Sequence, residues 1–183
     1  MDIKAFKMDG LGNDFVIVDR RKSEINLTKE QIIKIGDRNN VGFDQIIFIE
    51  KKVKDVLPIK IYNPDGIEVG ACGNGSRCIA YLISKENNQK TIKLEAQNKI
   101  LEAEILSEKL VRINMGLPEF KDNKSIPIKE GLDPRKVSID FIQKEYGNGI
   151  CVNVGNPHIV FFVKDCEKID IQKIGPKIEN HHY

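Results

Sequence analysis

The stretch Asn63-Pro64-Asp65-Gly66-Ile67-Glu68-Val69-Gly70-Ala71-Cys72-Gly73-Asn74-Gly75-Ser76-Arg77-Cys78 decides how the rest of the chain is read. A glycine-dense loop, Pro64 to Gly75, runs into Ser76-Arg77-Cys78-Ile79-Ala80-Tyr81-Leu82-Ile83, where Cys78, Tyr81, Leu82 and Lys85 fall at near-helical spacing. That periodicity predicts a helix packed on a sheet. Cys72 then stands just before the glycine-rich turn that opens the helix. Glycine at Gly73 and Gly75 permits positive φ and close approach of backbone to a ligand. Free amides at a helix start bind anions, and the helix dipole adds to the attraction. The same field stabilises a thiolate, so the reading predicts a Cys72 thiol with lowered pKa beside an anion cradle. Such a sulfur serves as nucleophile or as general base. Cys78 lies on the apolar face of the helix and reads as core.

Outward from this loop, the elements predict an α+β chain. Ile3 to Asp19 alternates apolar and polar residues around Gly10-Leu11-Gly12-Asn13-Asp14, giving strands at Ala5 to Met8 and Phe15 to Asp19. Thr28 and Gln31 form a capping-box pattern before Ile32, Ile33 and Ile35, which predicts a helix from Lys29 to about Arg38. β-Branched runs predict strands at Ile46 to Glu50 and Leu57 to Asn63, and three more at Thr91 to Ala96, Ile100 to Leu106 and Leu110 to Asn114. Gln97-Asn98-Lys99 reads as a hairpin turn. Gly116-Leu117-Pro118 and the polar Glu119 to Asp133 mark a boundary, with domains expected at 1–116 and 117–183. The second region predicts strands at Val137 to Tyr146, Ile150 to Val154 and Val160 to Val163, and a helix from Ile169 to Ile178. It is short for an independent core.

Composition excludes more than it selects. The net charge of +2 comes from 29 basic and 27 acidic residues mixed along the chain, with no basic block to bind nucleic acid or an anionic membrane. Apolar runs are short, five residues at Ile159 to Val163, far from the ~20 a membrane span needs. Met1 to Lys7 is charged and unlike a signal peptide, so a cytoplasmic location is the expectation. The four cysteines, Cys72, Cys78, Cys151 and Cys166, contain no Cys-x-x-Cys pair. They read as reduced thiols, and no metal site is expected.

Amides recur in glycine-containing loops: Asn13, Gln45 after Gly42-Phe43-Asp44, Asn63, and Asn156 in Gly155-Asn156-Pro157-His158. Each offers a donor and an acceptor, which suits a zwitterionic ligand, though an asparagine in a turn equally bonds its own backbone. Gly10-x-Gly12 is no dinucleotide fingerprint, because the third glycine is absent and a strand follows.

Taken in order, these blocks resemble the diaminopimelate epimerase family. The matching residues are Lys7-Met8-Asp9-Gly10-Leu11-Gly12-Asn13-Asp14-Phe15, then Asp44-Gln45, then Asn63-x-Asp65-Gly66 with Ala71-Cys72-Gly73-Asn74-Gly75-Ser76-Arg77-Cys78, and finally Gly155-Asn156-Pro157-His158. The resemblance implies two pseudo-symmetric domains, each a mixed sheet wrapped around a helix, with a site in the cleft between them. It also implies interconversion of LL- and meso-diaminopimelate, in lysine and peptidoglycan synthesis, without pyridoxal phosphate or metal. Two cysteines there move the α-proton from opposite faces, one as thiolate base and the other as thiol acid. By the same resemblance Cys72 is one catalytic cysteine, with His158 near the site to tune or orient the base. Asn13, Gln45, Asn63 and Asn156 contact substrate, and Gly73 with Asn74 cradles a carboxylate.

Two departures from the family pattern qualify these expectations. Arg38-Asn39-Asn40-Val41-Gly42 is one residue short of the usual length, so Asn39 or Asn40 is expected to take a left-handed conformation. The family also continues into a Glu-Arg pair and a second glycine-rich cysteine loop that these residues do not contain. The second domain is therefore expected to be incomplete, and activity to require the absent part. A related amino-acid racemase and a catalytically inactive fragment are the alternatives. Oligomeric state is not readable from the residues, and a homodimer stays open.

Overall fold

In β2 (Asn13–Asp19) and β3 (Gln45–Ile49) the apolar runs Phe15-Val16-Ile17-Val18 and Ile46-Ile47-Phe48-Ile49 are all buried. Strands of this kind have no solvent face and need cover on both sides. The computed structural model, which describes residues 3–70, 72–97, 99–120 and 126–182, shows that cover. Phe15, Ile17, Ile47 and Ile49 point into a core with Ile79, Ala80 and Ile83 of α2 (Gly73–Asn87). Val16, Val18, Ile46 and Phe48 point the other way, to Ile32 of α1 (Lys29–Gly36) and Phe43. Alternating side chains along one strand thus serve two cores.

The chain divides into two compact units, Met1–Gly116 and Leu117–Tyr183. In the first unit the sheet order is β1-β2-β3-β4-β6-β7-β8, where β1 is Ala5–Gly10, β4 Val56–Tyr62, β6 Thr91–Ala96, β7 Lys99–Ser107 and β8 Leu110–Asn114. A two-residue β5 (Glu68–Val69) pairs with β4. The β2–β3 and β4–β6 pairs are parallel and the others antiparallel, so the sheet is mixed. It curls around α2, which packs on β1, β2, β3, β6, β7 and β8. A single helix therefore closes one core from the inside of a curved sheet. This matches the expected α+β architecture.

Most strands of this unit fall where periodicity places them. The capping box is present: Thr28 accepts from the Gln31 backbone N–H, and the Gln31 side chain accepts from Thr28 N–H. Helix α1 stops at Gly36, two residues before Arg38. Its end packs against Phe43 and Pro64, leaving a Cβ at Gly36 only 3.1–3.2 Å from them. The expected left-handed residue in the next loop is neither Asn39 nor Asn40. Gly42 takes that conformation, at φ 63°, so the shorter loop turns on its own glycine. In the hairpin turn, Gln97 has φ 45° and Asn98 lies outside the described residues.

The second unit has a small core of Ile126, Val137, Ile139, Ile142 and Cys151. Its two-stranded sheet joins β9 (Ile150–Asn153) to β10 (Pro157–Val160). Two strand expectations are corrected here. Val137 to Tyr146 is no strand: Val137 makes one bridge to Gly149, and then the spacing of buried residues changes from two to three. Ile142 N–H donates to the Ile139 carbonyl, and the short α3 (Gln143–Tyr146) follows. The strand expected at Val160 to Val163 begins at Pro157 instead. Pairing starts directly after the Gly155 turn with Pro157 opposite Asn153, and Phe161 to Val163 fall beyond β9. Helix α4 (Ile171–Glu179) starts two residues after Ile169, capped by Asp170, whose carboxylate accepts from Lys173 N–H. Of the polar stretch Glu119 to Asp133, residues 121–125 lie outside the described residues.

Candidate functional site

Strand order alone gathers the candidate amides of the first unit at one end of the sheet. Asn13 opens β2, and Gln45 opens the parallel β3, paired in register with Phe15. Asn63 follows β4, which runs antiparallel and ends with Tyr62 opposite Ile46. The N-terminus of α2 reaches the same end, because the Asn74 side chain donates to Asn13 Oδ1 at 2.7 Å. Gln45 Nε2 donates to Asn63 Oδ1 at 3.2 Å, while Gln45 Oε1 is buried without a partner among the described residues. A buried acceptor in that condition carries a desolvation cost that a ligand donor would relieve.

Cys72 is the N-cap of α2. Its backbone is extended, and its Sγ accepts the Gly75 N–H at 3.3 Å. The Cys72 carbonyl takes the Ser76 N–H at 2.8 Å. Gly73 and Gly75 do not use the positive φ that the sequence allowed them, for neither takes it. Gly75 is required for space: a Cβ there would sit 2.5 Å from Ile47 Cδ1, 3.3 Å from Phe15 and 3.5 Å from Cys72 Sγ. The missing side chain lets the first turn of α2 lie directly on β2 and β3. Ala71 lies outside the described residues.

The thiol reading needs a correction of sign. Burial pushes the Cys72 thiol above its ordinary value. The Gly75 and Asn74 amides and the Arg77 charge pull it down but do not prevail, and Asp44 adds to the upward push. Desolvation penalises the anion more than the helix-start amides reward it. Cys72 in this state is a neutral thiol at pH 7, a proton donor ready for use. The rate of Cys72 alkylation by iodoacetamide is expected to rise with pH through a midpoint above ~8.5, the value of a free thiol. A midpoint near 7 would show that the amides win.

Cys78 behaves as expected of a core residue. It is 5% exposed, its Sγ donates to the Asp9 carbonyl at 3.6 Å, and burial pushes its thiol up to about 11. Cys151 is buried in the core of the second unit, and Cys166 is exposed in a short turn. Neither caps a helix of the Cys72 kind. Asn156 and His158 lie in the second unit at the β9–β10 turn, both exposed, with His158 Nε2 3.0 Å from Asn156 Oδ1. Among the described residues no cluster of His, Cys, Asp and Glu could hold a metal.

Sequence reasoning missed the ionic cluster beneath the amides. Arg38 makes two bonds to Asp14, at 2.7 and 2.8 Å, and one to Asp44 Oδ1 at 2.6 Å. Lys7 adds a 2.7 Å pair with Asp14 and donates to the Gly42 carbonyl. Asp44 Oδ2 in turn accepts from Asn13 Nδ2 at 2.9 Å and from Asp14 N–H at 3.1 Å. The Arg38 hydrogen bonds hold the Asp14 carboxyl well below the usual range, against the opposing effect of burial, with help from Lys7. Lys7, Asp14, Asp44 and Arg77 stood inside the motif blocks, and that was the available signal. Lys7–Asp14 and Arg38–Asp44 are close in sequence, but separations of 24 to 35 positions hid the other pairings.

A curled mixed sheet with a cysteine-capped helix inside defines a class before it defines a protein. The fold resembles a predicted epimerase from Pseudomonas aeruginosa, with TM-score 0.63 at 13% identity, over 97% of this chain and 67% of that one. It also resembles a hydroxyproline epimerase from Agrobacterium vitis, with TM-score 0.56 at 9% identity, over 94% and 53%. These likenesses establish the epimerase-type fold. Residues 5–121 match the sequence profile of diaminopimelate epimerase. The chain is 49% identical over 184 aligned positions to the diaminopimelate epimerase of Pelagibacter ubique, covering 99% of this chain and 67% of that protein. It is 37% identical to that of Rhodospirillum centenum, covering 97% and 61%. The chain belongs to the diaminopimelate epimerase family. It spans about two thirds of the length of these curated relatives.

Proposed function

We propose that the protein is an isomerase that interconverts LL- and meso-diaminopimelate by moving the α-proton between sulfurs on opposite faces of the substrate, with Cys72 as one of the two. The observation that carries this reading is Cys72 as the N-cap of α2, a buried thiol that accepts the Gly75 amide. Inversion at carbon needs an acid on one face and a base on the other, and groups of similar pKa can exchange those roles for the reverse reaction. A resting thiol at Cys72 is the acid of that pair. Loss of its proton to the carbanion leaves a thiolate that Gly75 N–H already faces.

The carbanion is the costly intermediate, and the start of α2 is suited to lowering its energy. The backbone amides of Gly73 and Asn74 lie in the first turn, where intrahelical partners are lacking and the dipole favours negative charge. A substrate carboxylate held there would receive the charge that spreads from the α-carbon. Gln45 Oε1 supplies an acceptor suited to an ammonium group. In this reading 1–116 is the N-terminal catalytic domain and 117–183 the start of its counterpart, and Asn156 and His158 keep the substrate-contacting and base-tuning roles that the family resemblance implies. The setting is cytoplasmic amino-acid synthesis, and the ligand a small amino acid with no cofactor. For membranes the structure adds only that, among the described residues, no helix is long and apolar enough to cross one.

The test is deuterium wash-in at the α-carbon of LL-diaminopimelate in D2O, followed by NMR with the purified protein. Wash-in that depends on Cys72 supports the assignment. Wash-in that survives Cys72→Ala removes Cys72 from the catalytic role.

A further inference from the structure

Beneath the site, one line of hydrogen bonds has a direction imposed from both ends. Arg77 donates to Asn74 Oδ1. Asn74 Nδ2 donates to Asn13 Oδ1 at 2.7 Å, and Asn13 Nδ2 donates to Asp44 Oδ2 at 2.9 Å. A guanidinium can only donate and a carboxylate can only accept. Carboxamides between two such ends have a single consistent orientation, so neither Asn13 nor Asn74 is free to flip. Arg38 backs the accepting end through Asp44 Oδ1 at 2.6 Å. Each carboxamide nitrogen carries two hydrogens and spends one on the line. What each amide nitrogen has left for a ligand is an N–H, a donor suited to an anion.

We propose that Asp44 and Arg77 are positioning residues that fix the direction of the Asn74–Asn13 pair, so that both side chains meet a substrate carboxylate as donors. This deepens the proposed function and rests on it for the ligand. Neither residue needs to touch substrate. Replacing Asp44 by asparagine, or Arg77 by glutamine, puts at that end a group that both donates and accepts. With one end replaced the opposite end still holds the direction, but with both replaced the line runs either way, and half of its states turn an oxygen toward the carboxylate. Binding is weakened in both ground and transition states, so the loss falls on KM more than on kcat.

The experiment pairs steady-state epimerisation of diaminopimelate with 15N NMR of the asparagine side chains. The double variant Asp44→Asn/Arg77→Gln is expected to raise KM by about 10- to 100-fold, as for loss of a hydrogen bond to a charged group, with kcat changed far less. Asp44→Asn or Arg77→Gln alone keeps one directing end and is expected to cost only a small part of that. In the protein without substrate, the Asn13 and Asn74 side chains are each expected to show a second set of amide resonances in the double variant and a single set in either single variant. Asp44→Asn/Arg77→Met, which also commits neither end, tests the same claim if the first double variant fails to fold. A double variant that keeps one set of Asn13 and Asn74 resonances, or an unchanged KM, overturns the proposal. A wild-type protein without epimerase activity overturns the functional reading alone, and the resonances still decide whether the line has a direction.

Discussion

Cys72→Ser is expected to lower α-proton exchange by about 10²- to 10⁴-fold, the usual contribution of a positioned proton-transfer group. Serine preserves size and can accept the Gly75 N–H in place of Sγ, so the N-cap survives and with it α2. Only the acidity changes: a hydroxyl has no accessible anion near neutral pH, whereas the Cys72 thiol is raised but still within reach. The fall should appear in kcat, with diaminopimelate binding retained. A Cys72→Ser protein that exchanges at the wild-type rate would remove Cys72 from the reaction. The sign of the Cys72 shift adds a pH signature. A thiol raised by burial is protonated throughout the neutral range, so the direction in which Cys72 is the acid should hold its rate through pH 7 and lose it as pH rises through the raised pKa.

Ile79→Ala is expected to destabilise the first unit by about 2–5 kcal/mol, a large share of the ~5–15 kcal/mol available to a domain. Ile79 is fully buried on α2, at the centre of the core that the curled sheet encloses. No neighbouring element can close the gap, because α2 is already contacted by strands around most of its circumference. A urea titration followed by far-UV circular dichroism should show the midpoint lowered by about 1–2 M at an ordinary slope. Ile100→Ala, at a residue 58% exposed on β7, serves as control and is expected to stay within about 0.5 kcal/mol. Equal effects at the two positions would mean that the core is not organised around α2.

Local patterns announced the first unit well. Periodicity in Phe15 to Asp19 and Ile46 to Glu50, the Thr28–Gln31 box and the helical spacing after Cys72 each depend on residues close in sequence. The second unit was less legible because Val137 to Tyr146 mixes two spacings, and β-branched composition outweighed the turn at Ile139–Ile142. At the site, the motif blocks named Asn13, Gln45, Asn63, Cys72, Gly73 and Asn74, and the sheet order gathers them at one end. The partners of those residues were not legible. Arg38 meets Asp14 only because α1 crosses the face of β2 and β3, a tertiary event without a local trace. The thiol shift was misread for the same reason. Helix-start amides are visible in a glycine-rich motif, but the burial that outweighs them depends on the whole fold.

The two-sided cover of β2 and β3 has a consequence for the timescale on which the site stays assembled. With helices on both sheet faces and paired strands on both edges, the amides of Ile17 and Ile47 have no local route to water. Their exchange with solvent hydrogen should require opening of the whole first unit and be among the slowest in the molecule. Asn13 and Gln45 are the first residues of those two strands. The ligand-facing amides are thus anchored to the last part of the unit to open, and their spacing should persist through every lesser fluctuation.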